Sequence, residues 1–268
     1  TLEMWDPLVP YLRGRYRVLR YDTRGHGRSQ TRDEPSDIAT LAADLAGLLE
    51  TLGIKQCHIV GLSLGGMTAQ ALAINHPKLV GSLTLMATAA YMPSETSWNE
   101  RAALVRKQGM TAIVDATMTR WFTPAFRDAR AGAEVRATFE KIDPAGYAVC
   151  CGAIGRMDLR PDLPQIVAPV LIVAGADDPA TPVSAMDEIR AHVADAELVI
   201  LPRAAHLLAV ECPAAVASHL LGFLDRHQVT ADAPGAVSFE VGLENRRSVL
   251  GESHVARSLG AGGAFASP

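Results

Sequence analysis

Residues 56–75, QCHIVGLSLGGMTAQALAIN, pass from an apolar run through a glycine-rich turn into a helical pattern. The apolar run at residues 56–60 predicts a strand, and the small and apolar residues from about 65 to 75 predict a helix. Ser63 lies in the turn between them, where GLSLG matches the G-x-S-x-G turn that presents a nucleophilic serine. A serine that only caps a helix is the alternative interpretation of the same residues.

The glycines of this turn have a physical role. The turn is sharp, so side chains at Gly61 and Gly65 are expected to collide with neighbouring backbone. Ser63 would then be held out at the carboxyl end of the strand, beside the N-terminus of the helix. The backbone N–H of Leu64 would lie there, where it can stabilise a developing oxyanion.

Short apolar segments alternate with helical patterns along the rest of the chain. Further strands are predicted at residues 16–22, 81–87, 169–175 and 196–202, and an amphipathic helix is predicted at residues 37–52 with its stop at Gly53. The strands are almost continuously apolar, which is typical of a parallel sheet covered by helices on both faces. The predicted fold class is therefore α/β, with a mostly parallel sheet.

Residues 93–167 interrupt this alternation with helix formers, aromatic residues and arginines, and without a strand pattern. We interpret them as a helical cap inserted into a core made of residues 1–92 and 168–227. Residues 228–237 are predicted to be a polar linker that contains proline and glycine. Residues 238–268 are predicted to form a separate C-terminal segment.

Composition limits the function classes. The chain has 268 residues and a formal net charge of −4, which argues against nucleic acid or an anionic membrane as its main partner. No apolar run is long enough to cross a bilayer. The four cysteines show neither metal-site nor disulfide spacing, so we expect free thiols and a reducing, cytoplasmic setting.

A serine nucleophile needs a base and an acid that orients the base. The loop ADDPATP, after the strand at 169–175, offers Asp177 and Asp178, and the loop RAAHLLAVECP, after the strand at 196–202, offers His206. Both loops follow the carboxyl ends of strands, where open α/β sheets build their sites. The chain order of serine, acid and histidine also fits enzymes with this serine turn. The residues alone leave the choice between the two aspartates open.

Six phrases together resemble the 3-oxoadipate enol-lactone hydrolases of aromatic catabolism, which are α/β-hydrolases: RVLRYDTRGHGRS, VGLSLGGMTAQALA, RWFTPAFR, DPAGYAVCCGAI, AGADDPATP and RAAHLLAVECP. The resemblance runs from Thr1 to about Arg226. The family pattern G-x-x-D-x-x-x-P falls on Gly175, Asp178 and Pro182, which selects Asp178 as the acid.

The resemblance implies a carboxylic-ester hydrolase of the β-ketoadipate pathway with an α/β-hydrolase fold. Ser63 would attack a small anionic enol-lactone, His206 would act as the base, Asp178 would orient it, and the Leu64 N–H would bind the oxyanion. The product would be 3-oxoadipate. No metal or organic cofactor is expected.

The carboxylate of such a substrate calls for a cationic residue. Arg120 and Trp121 in TRWFTP, and Trp98 in SWNERAALVR, are the substrate-binding candidates. Arg120 is proposed because a planar guanidinium can bind a carboxylate with two hydrogen bonds. Alternatively, Arg120 covers the cap surface and the tryptophans belong to the cap core.

Two features depart from the resembled family, and both ends look truncated. A loop near SLGT, whose N–H would complete the oxyanion hole, is expected upstream of Thr1. Lack of one such donor typically costs ~10²–10³ in kcat, and lack of early strands exposes sheet edges. At residues 242–258, GLENRRSVLGESHVARS resembles the opening of 4-carboxymuconolactone decarboxylases. A decarboxylase domain in cis is therefore expected in the full-length protein, without decarboxylase activity from this chain.

Three other functions are compatible with the same residues. One is another small-ester hydrolase or a cofactor-free perhydrolase that uses the same triad. The second is a ligand-binding member of the fold that does not hydrolyse. The third is a genuine hydrolase sequence that is cut short and cannot turn over. Turnover of a simple aryl ester would separate a catalyst from a binding protein.

Overall fold

The structure, a computed structural model, describes residues 1–31 and 33–229. Most of the predicted linker and the whole of the decarboxylase-like segment at 238–268 lie outside these residues. Within the described ranges, no helix has both the length and the apolar character needed to cross a membrane.

A parallel sheet forms the centre of the fold. Its strands are β1 (Cys57–Leu62), β2 (Val80–Met86), β3 (Val170–Gly175) and β4 (Ala196–Leu201), and they lie in the order β1-β2-β3-β4. All neighbouring strands pair in parallel. Four of the five predicted strands are therefore confirmed, as is the α/β fold class with a parallel sheet.

Helices connect and cover these strands. They are α1 (Val9–Leu12), α2 (Ile38–Thr51), α3 (Leu64–Asn75), α4 (Glu95–Gln108), α5 (Val114–Trp121), α6 (Pro124–Arg127), α7 (Arg130–Phe139), α8 (Pro144–Gly155), α9 (Val183–His192), α10 (Leu208–Glu211) and α11 (Pro213–Arg226). Single 3-10 turns occupy Leu2–Trp5, Pro77–Leu79, Met110–Ala112 and Leu163–Gln165. The predicted helix at 37–52 corresponds to α2, whose N-terminus is capped by the Asp37 carboxylate and which is followed by Gly53 with φ 67°.

The two faces of the sheet are packed against different helices. Ile172 of β3 belongs to an apolar cluster that includes residues of α2, α3 and α9. Its neighbours Leu171 and Val173 belong to a second cluster on the other face, which includes Leu220 and Phe223 of α11. Successive side chains of a strand point to opposite faces, so a strand buried on both sides must be apolar throughout. This packing explains why the strands have no alternating polar pattern.

The strand predicted at residues 16–22 is wrong. The structure assigns no strand there, although Val18 and Leu19 are apolar and are 38% and 46% exposed. A strand requires a backbone partner, which apolar side chains cannot replace. Among the described residues, β1 pairs with β2 alone, and a cavity lies between β1 and the segment that follows Arg15. Residues of β1 and residues of the segment after Arg15 both line this cavity.

Residues 93–167, which we call the helical insertion, leave the sheet between β2 and β3. They contain α4 to α8 and no strand, and every residue of this range is described. Helices α4 and α8 pack extensively against each other. Where the insertion begins and ends, a single antiparallel bridge joins Tyr91 to Asp158. The chain therefore returns at Asp158 to the segment that follows β2, before residues 159–169 lead to the start of β3.

Candidate active site

Ser63 occupies the turn between β1 and α3 in an uncommon backbone conformation. Its φ is 53° and its ψ is −116°, a region that residues other than glycine rarely adopt. The Ser63 N–H donates to the carbonyl of Met86 at 2.9 Å, and the Thr88 hydroxyl donates to the Ser63 carbonyl at 2.8 Å. Hydrogen bonds from the end of β2 thus hold the strained turn, as is common at functional sites.

The glycines of the turn differ in what they permit. A Cβ at Gly61 would lie 2.2 Å from the carbonyl oxygen of Gly65, so the expectation of a collision at Gly61 is confirmed. The same expectation for Gly65 is wrong, because nothing lies within 4 Å of a Cβ built there. The second crowded position is Gly66, whose Cβ would meet Thr88 at 2.7 Å. Gly66 therefore faces the segment that follows β2, and Gly65 faces open space.

Ser63, His206 and Asp178 come together at the carboxyl edge of the sheet. His206 Nε2 lies 2.9 Å from Ser63 Oγ, and His206 Nδ1 lies 2.8 Å from Asp178 Oδ2. Asp178 follows β3 and His206 follows β4, in the loops that the sequence indicates. The serine, base and acid positions that were predicted from separate parts of the chain are therefore within hydrogen-bond reach of one another.

Asp178 is buried and is held as a carboxylate acceptor. Its Oδ2 accepts the Thr181 hydroxyl at 2.7 Å, and its Oδ1 accepts the backbone N–H of Ala180 at 2.8 Å. Burial acts to raise the pKa of Asp178, but the hydrogen bond and charge of His206, with the Thr181 and Ala180 donors, lower it below its usual value. Asp177 is exposed instead. The structure therefore places Asp178, and not Asp177, against the histidine.

The loop that carries His206 is tied to the helical insertion. The Trp121 carbonyl accepts the N–H groups of His206 and Leu207, and the Trp121 ring stacks on the imidazole with centroids 6.3 Å apart. Glu211 adds a second link, since its carboxylate accepts the N–H of Ala205 at 2.8 Å and that of Thr123 at 3.0 Å. The orientation of the imidazole thus depends on the insertion as well as on Asp178.

A cavity of about 1650 Å³ opens in front of Ser63. The carboxyl end of β1, the His206 loop and the helical insertion form the part nearest the serine, and the rest continues along β1 toward the segment after Arg15. Leu64 also lines it, at the first position of α3, where a backbone N–H has no acceptor within its own helix. The role of this N–H as an oxyanion donor stays a prediction.

The three predicted substrate-binding residues all line this cavity. Trp121 is half-buried between His206 and Phe139, with the Phe139 ring 5.1 Å away in an edge-on arrangement. Trp98 is half-buried on α4. Arg120 is exposed at the end of α5, and its side chain makes no hydrogen bond or ion pair within the described ranges. Their role in binding a substrate stays a prediction.

Comparison with known proteins agrees with this geometry. A family model described as the alpha/beta hydrolase family matches residues 2–219. The chain belongs to the alpha/beta hydrolase family. The match includes both predicted loops and the serine turn.

This hydrolase is similar to proteins with named activities. It is 39% identical over 217 residues to 3-oxoadipate enol-lactonase 2 of Acinetobacter baylyi, covering 80% of this chain and 81% of that relative. It is also 38% identical to the enol-lactonase of Burkholderia xenovorans, whose crystal structure superposes with a TM-score of 0.80 over 84% of this chain and 86% of the other. A Caulobacter sp. protein named RutD, a proposed carbamate hydrolase, is 31% identical over 82% of this chain and 85% of that protein.

Sequence reasoning missed several residues in the cavity of this hydrolase. Arg101, Thr117 and Tyr147 line it from α4, α5 and α8, and His26 lines it from the turn after residue 23. Arg101 lies three positions after Trp98, so both share one face of α4, and this spacing was a usable signal. His26 precedes Ser63 in the chain, so it does not fit the order of serine, acid and histidine. Burial lowers the pKa of His26, which favours the neutral ring.

Proposed function

We propose that this hydrolase opens the ring of 3-oxoadipate enol-lactone to give 3-oxoadipate, with Ser63 as the nucleophile. The hydrogen-bonded series from Ser63 through His206 to Asp178, at the wall of a cavity, carries the proposal. The enol-lactonases of Acinetobacter and Burkholderia, at 39% and 38% identity, support the choice of substrate.

The first half of the reaction forms an acyl-enzyme. Ser63 Oγ attacks the lactone carbonyl carbon while His206 Nε2 takes the hydroxyl proton, and Asp178 stabilises the imidazolium. The carbonyl oxygen becomes an oxyanion beside the Leu64 N–H. Collapse of this intermediate breaks the bond to the ring oxygen, which receives the proton from His206 and leaves as an enol. The enol tautomerises to a ketone, which makes it a good leaving group.

The second half releases the acid. His206 removes a proton from water, and the hydroxide attacks the acyl carbon of the ester on Ser63. Collapse breaks the bond to Ser63 Oγ, which regains its proton from His206. The original Ser63 proton therefore leaves with the enol product, a proton from water replaces it on Ser63, and the net reaction consumes one water.

We also propose a reducing cellular environment for the enzyme. All four cysteines are free, and Cys150 and Cys151 are buried, with pKa values raised by burial to about 12 and about 11. Protonated, shielded thiols suit a reducing, cytoplasmic environment. A decarboxylase domain in cis, which would make the lactone, is proposed from residues outside the described ranges.

The test is hydrolysis of the enol-lactone, followed by the loss of its ultraviolet absorbance. The matched variants are Ser63→Ala and Ser184→Ala, since Ser184 is an exposed serine at the surface of α9. We expect Ser63→Ala to lower kcat by about 10⁶-fold and Ser184→Ala to leave it unchanged. A folded protein that leaves the lactone untouched would contradict the proposal.

A second candidate activity is carbamate hydrolysis, favoured by the 31% identity to the Caulobacter RutD protein. The same triad geometry can attack a carbamate carbonyl. A carbamate and a simple aryl ester should therefore be assayed beside the lactone. If kcat/KM for the carbamate exceeds that for the lactone, the carbamate assignment replaces the lactone assignment while the role of Ser63 stands.

A further inference from the structure

Arg101 lies in the wall of the active-site cavity, fixed by two hydroxyl groups. Its Nε donates to the Tyr147 hydroxyl oxygen at 2.8 Å, and its Nη2 donates to Thr117 Oγ1 at 2.6 Å. The Thr117 hydroxyl donates a hydrogen bond to the carbonyl of Ile113 at 2.7 Å, so its oxygen can accept the hydrogen bond from Arg101. The three side chains come from α4, α5 and α8. The guanidinium is therefore held in one place by three helices of the insertion.

This guanidinium has no carboxylate partner within residues 1–31 and 33–229. Arg106, on the same helix, shows the contrast, since its Nη groups bind both oxygens of Asp33. A half-buried cation without a counter-charge is unfavourable unless a ligand supplies one. The hydroxyl partners satisfy two N–H groups of Arg101 and leave others available, because a guanidinium carries more donors than these two contacts use.

Tyr147 adds a neutral donor beside the cation. Because its oxygen accepts from Arg101, its own hydroxyl proton is available for another acceptor. Burial raises the pKa of Tyr147 to about 12, so the phenol keeps this proton at neutral pH. A carboxylate placed here would accept one hydrogen bond from the guanidinium and one from the phenol. Such charge-assisted hydrogen bonds are the strong ones.

A row of aromatic rings connects this pair to the candidate base. The Tyr147 ring packs edge-on against Phe139 at 5.7 Å, Phe139 packs edge-on against Trp121 at 5.1 Å, and Trp121 stacks on His206. Tyr147, Phe139, Trp121 and His206 all line the cavity. The Arg101–Tyr147 pair and the candidate base are therefore joined by one apolar wall of the same cavity, along which a substrate would place its carboxylate and its reacting carbonyl.

We propose that Arg101 and Tyr147 bind a carboxylate of the substrate and make the enzyme selective for acidic esters and lactones. This inference deepens the proposed function and rests on it for the hydrolysis at Ser63. It assigns the carboxylate to Arg101 in preference to Arg120, because Arg101 is held in position by hydroxyl groups and Arg120 is exposed. Thr117 is a positioning residue, since it acts through the guanidinium.

The experiment compares two esters of similar size and shape: the 4-nitrophenyl monoester of glutaric acid, which carries a carboxylate, and 4-nitrophenyl hexanoate, which is neutral. The variants are Arg101→Gln, Arg101→Lys and Tyr147→Phe, with Arg120→Gln as the test of the rival arginine and Arg106→Gln as the matched control. We expect Arg101→Gln to raise KM for the acidic ester by about 10- to 100-fold and to change kcat/KM for the neutral ester by less than about threefold. Tyr147→Phe should cause a smaller loss of the same kind, and Arg101→Lys should partly restore selectivity.

A binding measurement keeps the test independent of turnover. Titration calorimetry with adipate, an unreactive dicarboxylate, should give a Kd about 10-fold or more weaker for Arg101→Gln than for the parent chain. Equal losses on both esters would indicate a structural role and overturn the inference. Loss of selectivity in Arg120→Gln, with Arg101→Gln unaffected, would overturn it in favour of Arg120. If the lactone is not hydrolysed but the acidic ester is preferred through Arg101, the proposed substrate fails and this inference stands.

Discussion

The main-chain carbonyl of Trp121 accepts hydrogen bonds from the N–H groups of His206 and Leu207, at 3.1 and 3.2 Å. Trp121 ends a helix of the insertion, and His206 follows the last strand of the sheet. The insertion therefore holds the main chain of the candidate base, while Asp178, which follows β3, holds its imidazole. Substitutions on either side of this contact should therefore change activity by moving the His206 imidazole.

Trp121→Ala should lower both stability and activity. The indole is half-buried between Phe139 and His206, so its removal is expected to cost about 3 kcal/mol in the free energy of unfolding. It should also lower kcat/KM for a neutral aryl ester by about tenfold, because the imidazole loses its stacking partner. Trp121→Phe keeps an aromatic ring and should lose much less. Urea unfolding and ester hydrolysis measure the two effects, and an unchanged kcat/KM in Trp121→Ala would contradict the account.

Glu211→Gln should loosen the histidine loop. The carboxylate accepts from Ala205 N–H through one oxygen and from Thr123 N–H through the other, and an amide can accept through only one. We expect a loss of about 1–3 kcal/mol in the free energy of unfolding. Glu134→Gln is the matched control, since Glu134 is exposed and its carboxylate pairs, among the residues that the structure describes, only with Arg130 on the same helix; it should cost less than about 0.5 kcal/mol. Equal effects in thermal or urea unfolding would show that Glu211 does not tie the two parts together.

Gly61→Ala and Gly65→Ala should behave differently although both lie in the G-x-S-x-G turn. A methyl group at Gly61 would meet the Gly65 carbonyl, so the turn must open and Ser63 must move. We expect Gly61→Ala to lose about 2 kcal/mol or more and most activity. Gly65→Ala meets no atom and gains helix propensity, so its free energy of unfolding should rise by up to about 1 kcal/mol. The same loss of stability in both variants would contradict the packing described for the turn.

Asp178 should make unfolding sensitive to acid. Its pKa in the folded protein lies below the unfolded value, so its ionised form stabilises the fold above the unfolded pKa of about 3.9. This contribution should be lost as the pH falls through the lower folded value. The difference in the free energy of unfolding between the parent chain and Asp178→Asn should therefore be largest near neutral pH and shrink below about pH 4. A difference that grows with acidity would reverse the sign and contradict the assignment.

The elements that the sequence predicts correctly are those with a local physical signal. Four strands are apolar throughout because helices cover both faces, and this pattern can be read without knowing their neighbours. His206 and the loop with Asp177 and Asp178 could be placed because each follows the carboxyl end of such a strand, and parallel strands bring these ends to one edge. The choice of Asp178 came from the resemblance to the family pattern. The stop of α2 at Gly53 is local as well.

The elements that escaped prediction depend on distant parts of the chain. Residues 16–22 have a strand pattern, but a strand also needs a partner, and none is found among the described residues. Gly65 and Gly66 look equivalent in sequence, and only the approach of Thr88 shows that Gly66 is the crowded one. In the sequence, Arg101 cannot be distinguished from the surface arginines near it. Its position becomes apparent only when α5 and α8 bring Thr117 and Tyr147 to it.

The proposed reaction depends on Ser63 Oγ being a nucleophile that His206 activates. A fluorophosphonate reagent tests it most directly, because an activated serine displaces fluoride and keeps the phosphonyl group as a mass increase on one peptide. We expect a single adduct on the peptide that contains Ser63. The adduct should be absent in Ser63→Ala and should form about 10²–10⁴ times more slowly in His206→Ala. Modification of another residue at the same rate in Ser63→Ala, or labelling of Ser63 that His206→Ala does not slow, would contradict it.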